Sequence, residues 1–304
     1  SPNGKKTAVV GGGPAGMSCA SELASLGFEV TLFEQSSELG GQFNVAKLIP
    51  GKSEFHATIR YFSNRLSNLG VDVRLNTTAD AELIKAEGYS NVVLASGVLP
   101  RSWEIPGSDR PEVVNYLDVL RGKVSVGEKV AIVGAGGIGF DVADFLTHES
   151  DSEGFHKSWG IDESLSERGG LISSARTKSK RSVHLLQRSP GKPGAKLGKT
   201  TGWIHRMTLR ERGVNMWGGI KYSKLDNAGL HLTHLDKGDV TLKVDTVVVC
   251  AGQTPFAPLL EELKSSGLKV SLIGGAANCR GLDAQRAIRE GLKLATELAA
   301  NVST

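Results

Sequence analysis

Cysteine is scarce in this chain. Its 304 residues hold three, Cys19, Cys250 and Cys279, far apart and with no Cys-x-x-Cys pair. That excludes a local redox dithiol and a cysteine-ligated iron–sulfur cluster built from these residues. The odd, scattered set fits a reducing compartment, and the expected location is the cytoplasm. No HExxH run and no Cys/His spacing marks a metal site, so no metal is expected. No apolar run approaches the ~18 residues of a spanning helix, so no membrane partner is expected. Net charge is only +4, with acids and bases interspersed, too little to argue for nucleic acid. Ser1-Pro2-Asn3-Gly4-Lys5-Lys6 reads as a polar lead, not a secretory signal, and the sequons at Asn76 and Asn301 read as chance. The chain does not begin with Met, which fits a trimmed polypeptide or a piece of a longer one.

Glycine, by contrast, is plentiful and placed. Ala8-Val9-Val10-Gly11-Gly12-Gly13-Pro14-Ala15-Gly16 runs from strand residues through a glycine turn into a helix. So does Val130-Ala131-Ile132-Val133-Gly134-Ala135-Gly136-Gly137-Ile138-Gly139. Each fits the dinucleotide-binding fingerprint. One such motif is weak. Two imply two dinucleotides, and the usual reason to hold two is to pass a hydride between them. The composition, 39% hydrophobic and 22% charged, is that of a globular chain long enough for two domains. The expected fold class is α/β, with two Rossmann-like dinucleotide-binding domains.

A strand is expected over 7–10, a helix over 14–26 and a strand over 28–34. This βαβ start predicts a parallel sheet with right-handed crossovers. A helix follows over 54–69, with Phe55, Ile59, Phe62, Leu66 and Leu69 on one stripe. Short strands follow at 71–75 and 91–97. Pro100, Pro106, Gly107 and Pro111 cluster, which places a domain crossing near 98–112. The second strand–turn–helix begins at Lys129, its helix running from about Gly137 to Leu146. Residues 148–181 show no clear periodicity and read as an insertion, partly ordered at best. A strand resumes at 182–187. Residues 214–249 alternate as a small antiparallel meander, and 246–252 return to a buried strand. Strand 270–274 and helix 283–299 close the chain. The first domain is thus expected over 1–108 and 250–304, with the second, about 109–249, inserted in it.

At the first turn Gly11 permits the tight bend, Gly13 the approach of a pyrophosphate and Gly16 the packing of helix on strand. Pro14 opens the helix, and the backbone N–H groups at its start, from Ala15 onward, point at the anion with the helix dipole behind them. Glu34, followed by Gln35, ends the second strand. A carboxylate there accepts ribose hydroxyls and repels a 2′-phosphate, which suits FAD or NAD over NADP. The plainer reading of Glu34 is an exposed strand-end charge. Gly40-Gly41-Gln42-Phe43 is either backbone passing close to a flat ligand or a surface turn. Ala95-Ser96-Gly97 and Ile273-Gly274-Gly275 end strands in small residues, as close approach to a cofactor requires. Asp283 either caps the last helix or marks a helix start that faces the flavin.

At the second turn Gly134, Gly136, Gly137 and Ile138 repeat the pattern. The strand after the insertion ends Leu186-Gln187-Arg188, where an NAD site carries an acid. A guanidinium grips a phosphate bidentately, so Arg188, with Lys192, Lys196 and Lys199 beyond it, suits the 2′-phosphate of NADPH. The plainer reading is a solvated basic loop. His205 is the histidine to watch; its plainer role is structural. Hydride transfer between stacked rings needs orientation more than acid–base help, so no catalytic side chain is assigned.

Four further segments stand out, the middle two of them far more specific than the fingerprints. They are Gly41-Gln42-Phe43-Asn44-Val45-Ala46-Lys47 with Ile49-Pro50-Gly51-Lys52; Gly136-Gly137-Ile138-Gly139-Phe140-Asp141; Leu197-Gly198-Lys199-Thr200-Thr201-Gly202-Trp203-Ile204-His205-Arg206; and Cys250-Ala251-Gly252-Gln253. Together, over nearly the whole chain, they resemble the C-terminal FAD- and NADPH-binding portion of 2,4-dienoyl-CoA reductase of the bacterial flavin and iron–sulfur type. Trimethylamine dehydrogenase is a more distant relative of that family. The resemblance implies that NADPH gives a hydride to FAD. Electrons then leave singly, through a 4Fe-4S cluster, to FMN in an N-terminal (β/α)₈ barrel that also holds the dienoyl-CoA site.

These residues contain no barrel. The implied role is therefore the electron-input half of an enzyme of unsaturated fatty-acid β-oxidation, with the FMN/iron–sulfur barrel or another electron acceptor as partner. The resemblance implies FAD contacts at Gly11, Gly13, Gly16, Glu34, Gln42 and the Gly274-Gly275 turn, and NADPH contacts around Gly136, Gly137, Arg188 and Gln253. Many flavin reductases carry Asp after the Gly of the last strand. Gly275 stands there in this chain, so the ribityl contact falls to backbone or another group. Two alternatives remain: a free-standing NADPH reductase serving a ferredoxin-like acceptor, and a module that binds one nucleotide without catalysis.

Overall fold

The computed structural model describes residues 5–148, 154–174 and 178–301. The chain opens with β1 (Lys6–Val10), α1 (Pro14–Ser25), β2 (Glu29–Phe33), α2 (Phe43–Ala46), α3 (Phe55–Asn68), β3 (Asp72–Arg74), α4 (Ala81–Ala86), β4 (Asn91–Leu94) and β5 (Val98–Pro100). It continues with β6 (Val113–Asn115), α5 (Tyr116–Leu120), β7 (Lys129–Val133), α6 (Gly137–Thr147), α7 (Gly154–Trp159), β8 (Ser182–Leu186), α8 (Gly202–Glu211) and β9 (Asn215–Trp217). Then follow β10 (Ile220–Asp226), β11 (Gly229–His234), β12 (Gly238–Leu242), β13 (Thr246–Val249), β14 (Gln253–Pro255), α9 (Leu260–Ser265), β15 (Lys269–Leu272) and α10 (Ala284–Ala300).

Two compact units result: Ser1–Leu99 with Gln253–Thr304, and Pro100–Gly252. Residues 100–108, expected with the first unit, lie in the second for a physical reason. Trp103 and Ile105 pack on the cluster of Leu225, Leu230 and Leu232, and a Cβ on Gly107 would sit 2.0 Å from the Leu225 carbonyl oxygen.

Unit 1 carries a parallel sheet of order β15-β4-β1-β2-β3. Its strands are apolar on both faces. Val9, Leu32 and Val93 face α1, α3 and α10, whereas Ala8, Phe33 and Leu94 face α4 and α9. The period of two thus feeds two cores, which is why these strands read as continuous apolar runs. Gly291 lets α10 lie directly on α1: a Cβ there would sit 2.6 Å from the Ala15 carbonyl oxygen and 2.8 Å from the Cys19 nitrogen.

Unit 2 repeats the plan, with a parallel sheet of order β6-β13-β7-β8-β9. The antiparallel meander β10-β11-β12 covers one face of it, Ile220, Leu225, Leu230 and Leu242 packing on Ala131, Val133, Leu186 and Val247. The first hairpin turns where the Asp226 carboxylate accepts the Ala228 N–H at 2.9 Å.

Residues 154–174 of the insertion hold α7, a short 3₁₀ turn at Arg168–Gly170 and an isolated bridge between Ile161 and Leu171. Their order centres on one buried carboxylate. Asp162 accepts the Ser164 N–H (3.0 Å) and hydroxyl (2.6 Å), the Ser166 hydroxyl (3.1 Å) and the Glu167 N–H (2.7 Å). Polar loops tied this way carry no hydrophobic period. Residues 149–153 and 175–177 of the insertion lie outside the described residues.

Candidate functional site

In each unit the glycine turn leaves the carboxyl end of the central strand, β1 or β7, where the strand order reverses. The two turns are built alike. Gly11 has φ +112° and Gly134 φ +110°. A Cβ on Gly11 would sit 2.4 Å from the Ala95 carbonyl oxygen, and one on Gly134 2.3 Å from that of Cys250. A Cβ on Gly16 would lie 1.8 Å from the Gly11 oxygen, and one on Gly139 1.9 Å from the Gly134 oxygen. The fold itself requires these four glycines.

Gly13, Gly136 and Gly137 differ. Gly13 and Gly136 have φ of −77° and −84°, open to any residue. A Cβ on Gly13 would meet only the Gly41 Cα at 3.9 Å, and one on Gly136 or Gly137 nothing within 4 Å. Nothing among the described residues needs glycine there. A pyrophosphate lying on the helix start does, because a side chain would fill its space. Neither α1 nor α6 is capped by a side chain, and Pro14 begins α1 without forfeiting a helical bond. Ile138, half-buried, follows in the first turn of α6. The residues present fit one dinucleotide in each unit.

Glu34 is not an exposed strand-end charge; it is 8% exposed. Its Oε2 accepts the Gly12 N–H at 2.8 Å, and Oε1 accepts the Ser36 N–H at 2.8 Å and the Ser36 hydroxyl at 2.6 Å. The acid therefore ties the glycine turn to the end of β2, while its neighbour Gln35 is exposed. Gly40 donates its N–H to the Gly12 carbonyl at 2.8 Å, and a Cβ on Gly41 would sit 2.8 Å from the Gly13 Cα. Segment 40–43 is thus folded onto the first turn and is no free surface turn. Gln42, half-buried, begins α2 without a side-chain cap.

β4 stops at Leu94, short of the expected residue 97; Ala95 still donates its N–H to the Val10 carbonyl of β1 at 2.8 Å, and Ser96 and Gly97 bond elsewhere. Ser96 donates its hydroxyl to the Phe256 carbonyl at 2.5 Å, and the Gly97 carbonyl accepts the Phe256 N–H at 3.0 Å. β15 likewise ends at Leu272, and Gly274–Ala276 form a 3₁₀ turn whose Gly274 N–H donates to Glu290 Oε2 at 2.7 Å. A Cβ on Gly275 would sit 2.6 Å from Val98 Cγ1 and 3.0 Å from the Gly97 carbonyl carbon. There is no room for an aspartate at this position. Asp283 accepts the Arg286 N–H at 2.7 Å and so caps α10. Glu290, by contrast, carries no local sign of its role; only the fold brings it to Gly274.

In unit 2, Gln187 extends the strand end. Its N–H donates to the Trp217 carbonyl at 2.8 Å, its carbonyl accepts the Ile220 N–H at 3.0 Å and its Nε2 donates to the Ser189 carbonyl at 3.0 Å. Arg188, Lys192, Lys196 and Lys199 are all exposed, and none has a side-chain hydrogen bond or ion pair among the described residues. Gly252, with φ +103°, accepts the Arg101 N–H at 3.0 Å. Gln253 belongs to unit 1, where its carbonyl accepts the Cys279 thiol at 3.2 Å.

All three cysteines are free. Burial pushes the Cys19 thiol up to about 12, and burial with the nearby Asp141 raises that of Cys250, so both stay neutral and unreactive. His205 is half-buried on α8. Among the described residues no group of three or more His, Cys, Asp or Glu side chains gathers to hold a metal, and no helix is long and apolar enough to cross a membrane.

Residues 5–278 match the model of a family described as pyridine nucleotide-disulphide oxidoreductase. A bilirubin reductase of Mediterraneibacter gnavus is 32% identical over 298 residues, which cover 98% of this chain and 41% of that protein. Among solved structures, a 2-naphthoyl-CoA reductase bound to 2-naphthoyl-CoA aligns with TM-score 0.81 and 27% identity, covering 97% of this chain and 40% of its own. Lactococcus lactis thioredoxin reductase aligns with TM-score 0.67 and 17% identity over 98% of both chains, a likeness of fold. The chain spans 41% and 40% of the lengths of the two reductases named first.

Proposed function

The chain belongs to the pyridine nucleotide-disulphide oxidoreductase family, and on that premise we propose that it is the electron-input unit of an NADPH-driven reductase of an unsaturated acyl-CoA. Its general activity is that of an FAD-dependent oxidoreductase using a pyridine nucleotide. In our reading FAD lies on the Gly11–Gly16 turn and NADPH on the Gly134–Gly139 turn. The observation that carries the choice of NADPH is the contrast between two strand ends. β2 is followed by the buried acid Glu34, and β8 by neutral Gln187 and exposed Arg188. A carboxylate repels a 2′-phosphate, whereas a guanidinium grips one.

The chemistry supplied by bound FAD is acceptance of a hydride from reduced nicotinamide, with the electrons then leaving one at a time. The chain's own part is to bind and orient. Open amides at the starts of α1 and α6 receive the pyrophosphates, Glu34 shapes the first turn, and the cations after β8 select the nucleotide. No side chain is assigned a proton. The dienoyl-CoA substrate is supported by the 197–206 segment and by the likeness to a reductase of another acyl-CoA. The acceptor we assign is an FMN/iron–sulfur barrel, and the three free thiols suit the cytoplasm.

Anaerobic stopped-flow mixing of the FAD-loaded protein with NADPH tests the core of this reading. Flavin absorbance is expected to bleach, and far more slowly with NADH. Binding without bleaching would leave only a nucleotide-binding module, and equal rates would overturn the choice of NADPH. For the acceptor, adding the barrel and a 2,4-dienoyl-CoA is expected to sustain NADPH turnover; a barrel reduced by NADPH but idle toward the acyl-CoA would overturn that assignment.

A further inference from the structure

Arg206 closes the 197–206 segment, yet it lies in neither glycine turn. We propose that Arg206 is a positioning residue for selection of the 2′-phosphate: it holds the basic loop after β8 in its receiving shape without touching the phosphate itself. This rests on the reading of unit 2 as an NADPH site.

Residues 188–201, between β8 and α8, form no regular element. A loop of that length carrying four cations is costly to order, and its own contacts are local turns such as the Leu197 N–H to the Gly194 carbonyl at 3.1 Å. It is nevertheless tied down at three places. Gly219 donates its N–H to the Ser189 carbonyl at 2.9 Å, and a Cβ on Gly218 would sit 2.1 Å from the Gly191 carbonyl oxygen, so the start of the loop lies directly on the end of β9. Pro193 and Gly194 are buried, and a Cβ on Gly194 would sit 2.5 Å from Phe140 Cζ, so the middle lies on α6. Arg206 Nη1 donates to the Gly194 carbonyl at 2.8 Å, which fixes that middle to α8. Between and beyond these ties the side chains of Arg188, Lys192, Lys196 and Lys199 are exposed, with no side-chain hydrogen bond or ion pair among the described residues. The pattern is a rigid frame presenting unpaired cations. A frame ordered in advance spends less of its binding energy on ordering when the phosphate arrives.

Calorimetry on the FAD-loaded protein tests this with two ligands, adenosine 2′,5′-bisphosphate and adenosine 5′-monophosphate, which differ only in the 2′-phosphate. Arg206→Gln is expected to weaken the bisphosphate about tenfold, as loss of a charge-assisted hydrogen bond would. The monophosphate is expected to stay within about twofold, and Arg206→Lys, which keeps a donor, to recover most of the loss. In the nucleotide-free protein, amide exchange across 188–199 is expected to speed up in Arg206→Gln. An unchanged bisphosphate affinity, or equal weakening of both ligands, overturns the proposal. So does unchanged exchange in the loop, which would make Arg206 a direct ligand. A wild-type protein that binds the two ligands equally removes the NADPH reading itself, and the proposal with it.

Discussion

The Cys250 carbonyl oxygen stands 2.3 Å from where a Cβ on Gly134 would lie, at a residue whose φ is +110°. Gly136, two positions on, has open space and an ordinary backbone. The two glycines therefore separate folding from binding. Gly134→Ala is expected to abolish soluble folded protein or lower the thermal midpoint steeply. Gly136→Ala is expected to keep the midpoint and flavin spectrum while raising the dissociation constant of the nicotinamide nucleotide by about tenfold or more. Differential scanning fluorimetry with nucleotide titration checks both, and unimpaired binding by Gly136→Ala would sink the assignment of the second turn.

Replacing Arg188 tests the choice of nucleotide directly. Arg188→Glu is expected to raise KM for NADPH by about tenfold or more and to leave KM for NADH within about twofold, since only one ligand carries the 2′-phosphate. Steady-state rates with an artificial acceptor report both. Equal effects on the two nucleotides would show that Arg188 does not read the phosphate.

Glu34 accepts two backbone N–H groups and one hydroxyl. Glu34→Ala strands the Gly12 and Ser36 amides, a cost of about 1–3 kcal/mol. Urea unfolding is expected to show that loss, together with faster release of FAD. An unaltered unfolding midpoint would mean that water replaces the carboxylate without penalty.

Asp283 is predicted to matter for stability alone. Asp283→Ala removes the cap of α10 and is expected to cost about 1 kcal/mol in urea unfolding with FAD affinity unchanged. A large fall in affinity at unchanged stability would return Asp283 to the flavin site.

The buried Cys19 thiol carries a pH signature. Its value rises from 9.0 to about 12 in the fold. Above about pH 9 the unfolded chain therefore loses this proton while the native chain keeps it, so the native state is the one that binds more protons. Stability is then expected to fall as pH rises from about 9 toward 12, by up to ~1.4 kcal/mol per pH unit from this group. Cys19→Ala is expected to be less stable at neutral pH yet to show a shallower alkaline decline. Parallel curves for the two proteins would contradict this.

Local signals explain what could be read before the structure. The two glycine turns, the stripe of α3, the meander and the Asp283 cap each lie within a few residues and follow backbone or helical period. α8 is less legible: Trp203, Ile204, Met207 and Leu209 are interspersed with His205, Arg206 and Arg210, and only Gly202 and Leu209 are buried on it. Glu290 and Arg206 act on carbonyl or amide groups 16 and 12 residues away, around turns that no short pattern encodes. Residues 154–174 escaped for a related reason: Asp162 organises them through polar bonds rather than a core.

The contact of Gly291 with the backbone of Ala15 and Cys19 imposes an order of events during synthesis. Residues 100–252 leave the ribosome complete, with both their sheets, before β15 and α10 exist. Until then the apolar face of α1 that receives α10 has no cover from that helix. A chain ending before residue 284 thus contains every residue of the second unit but leaves α1 without the helix that packs on it.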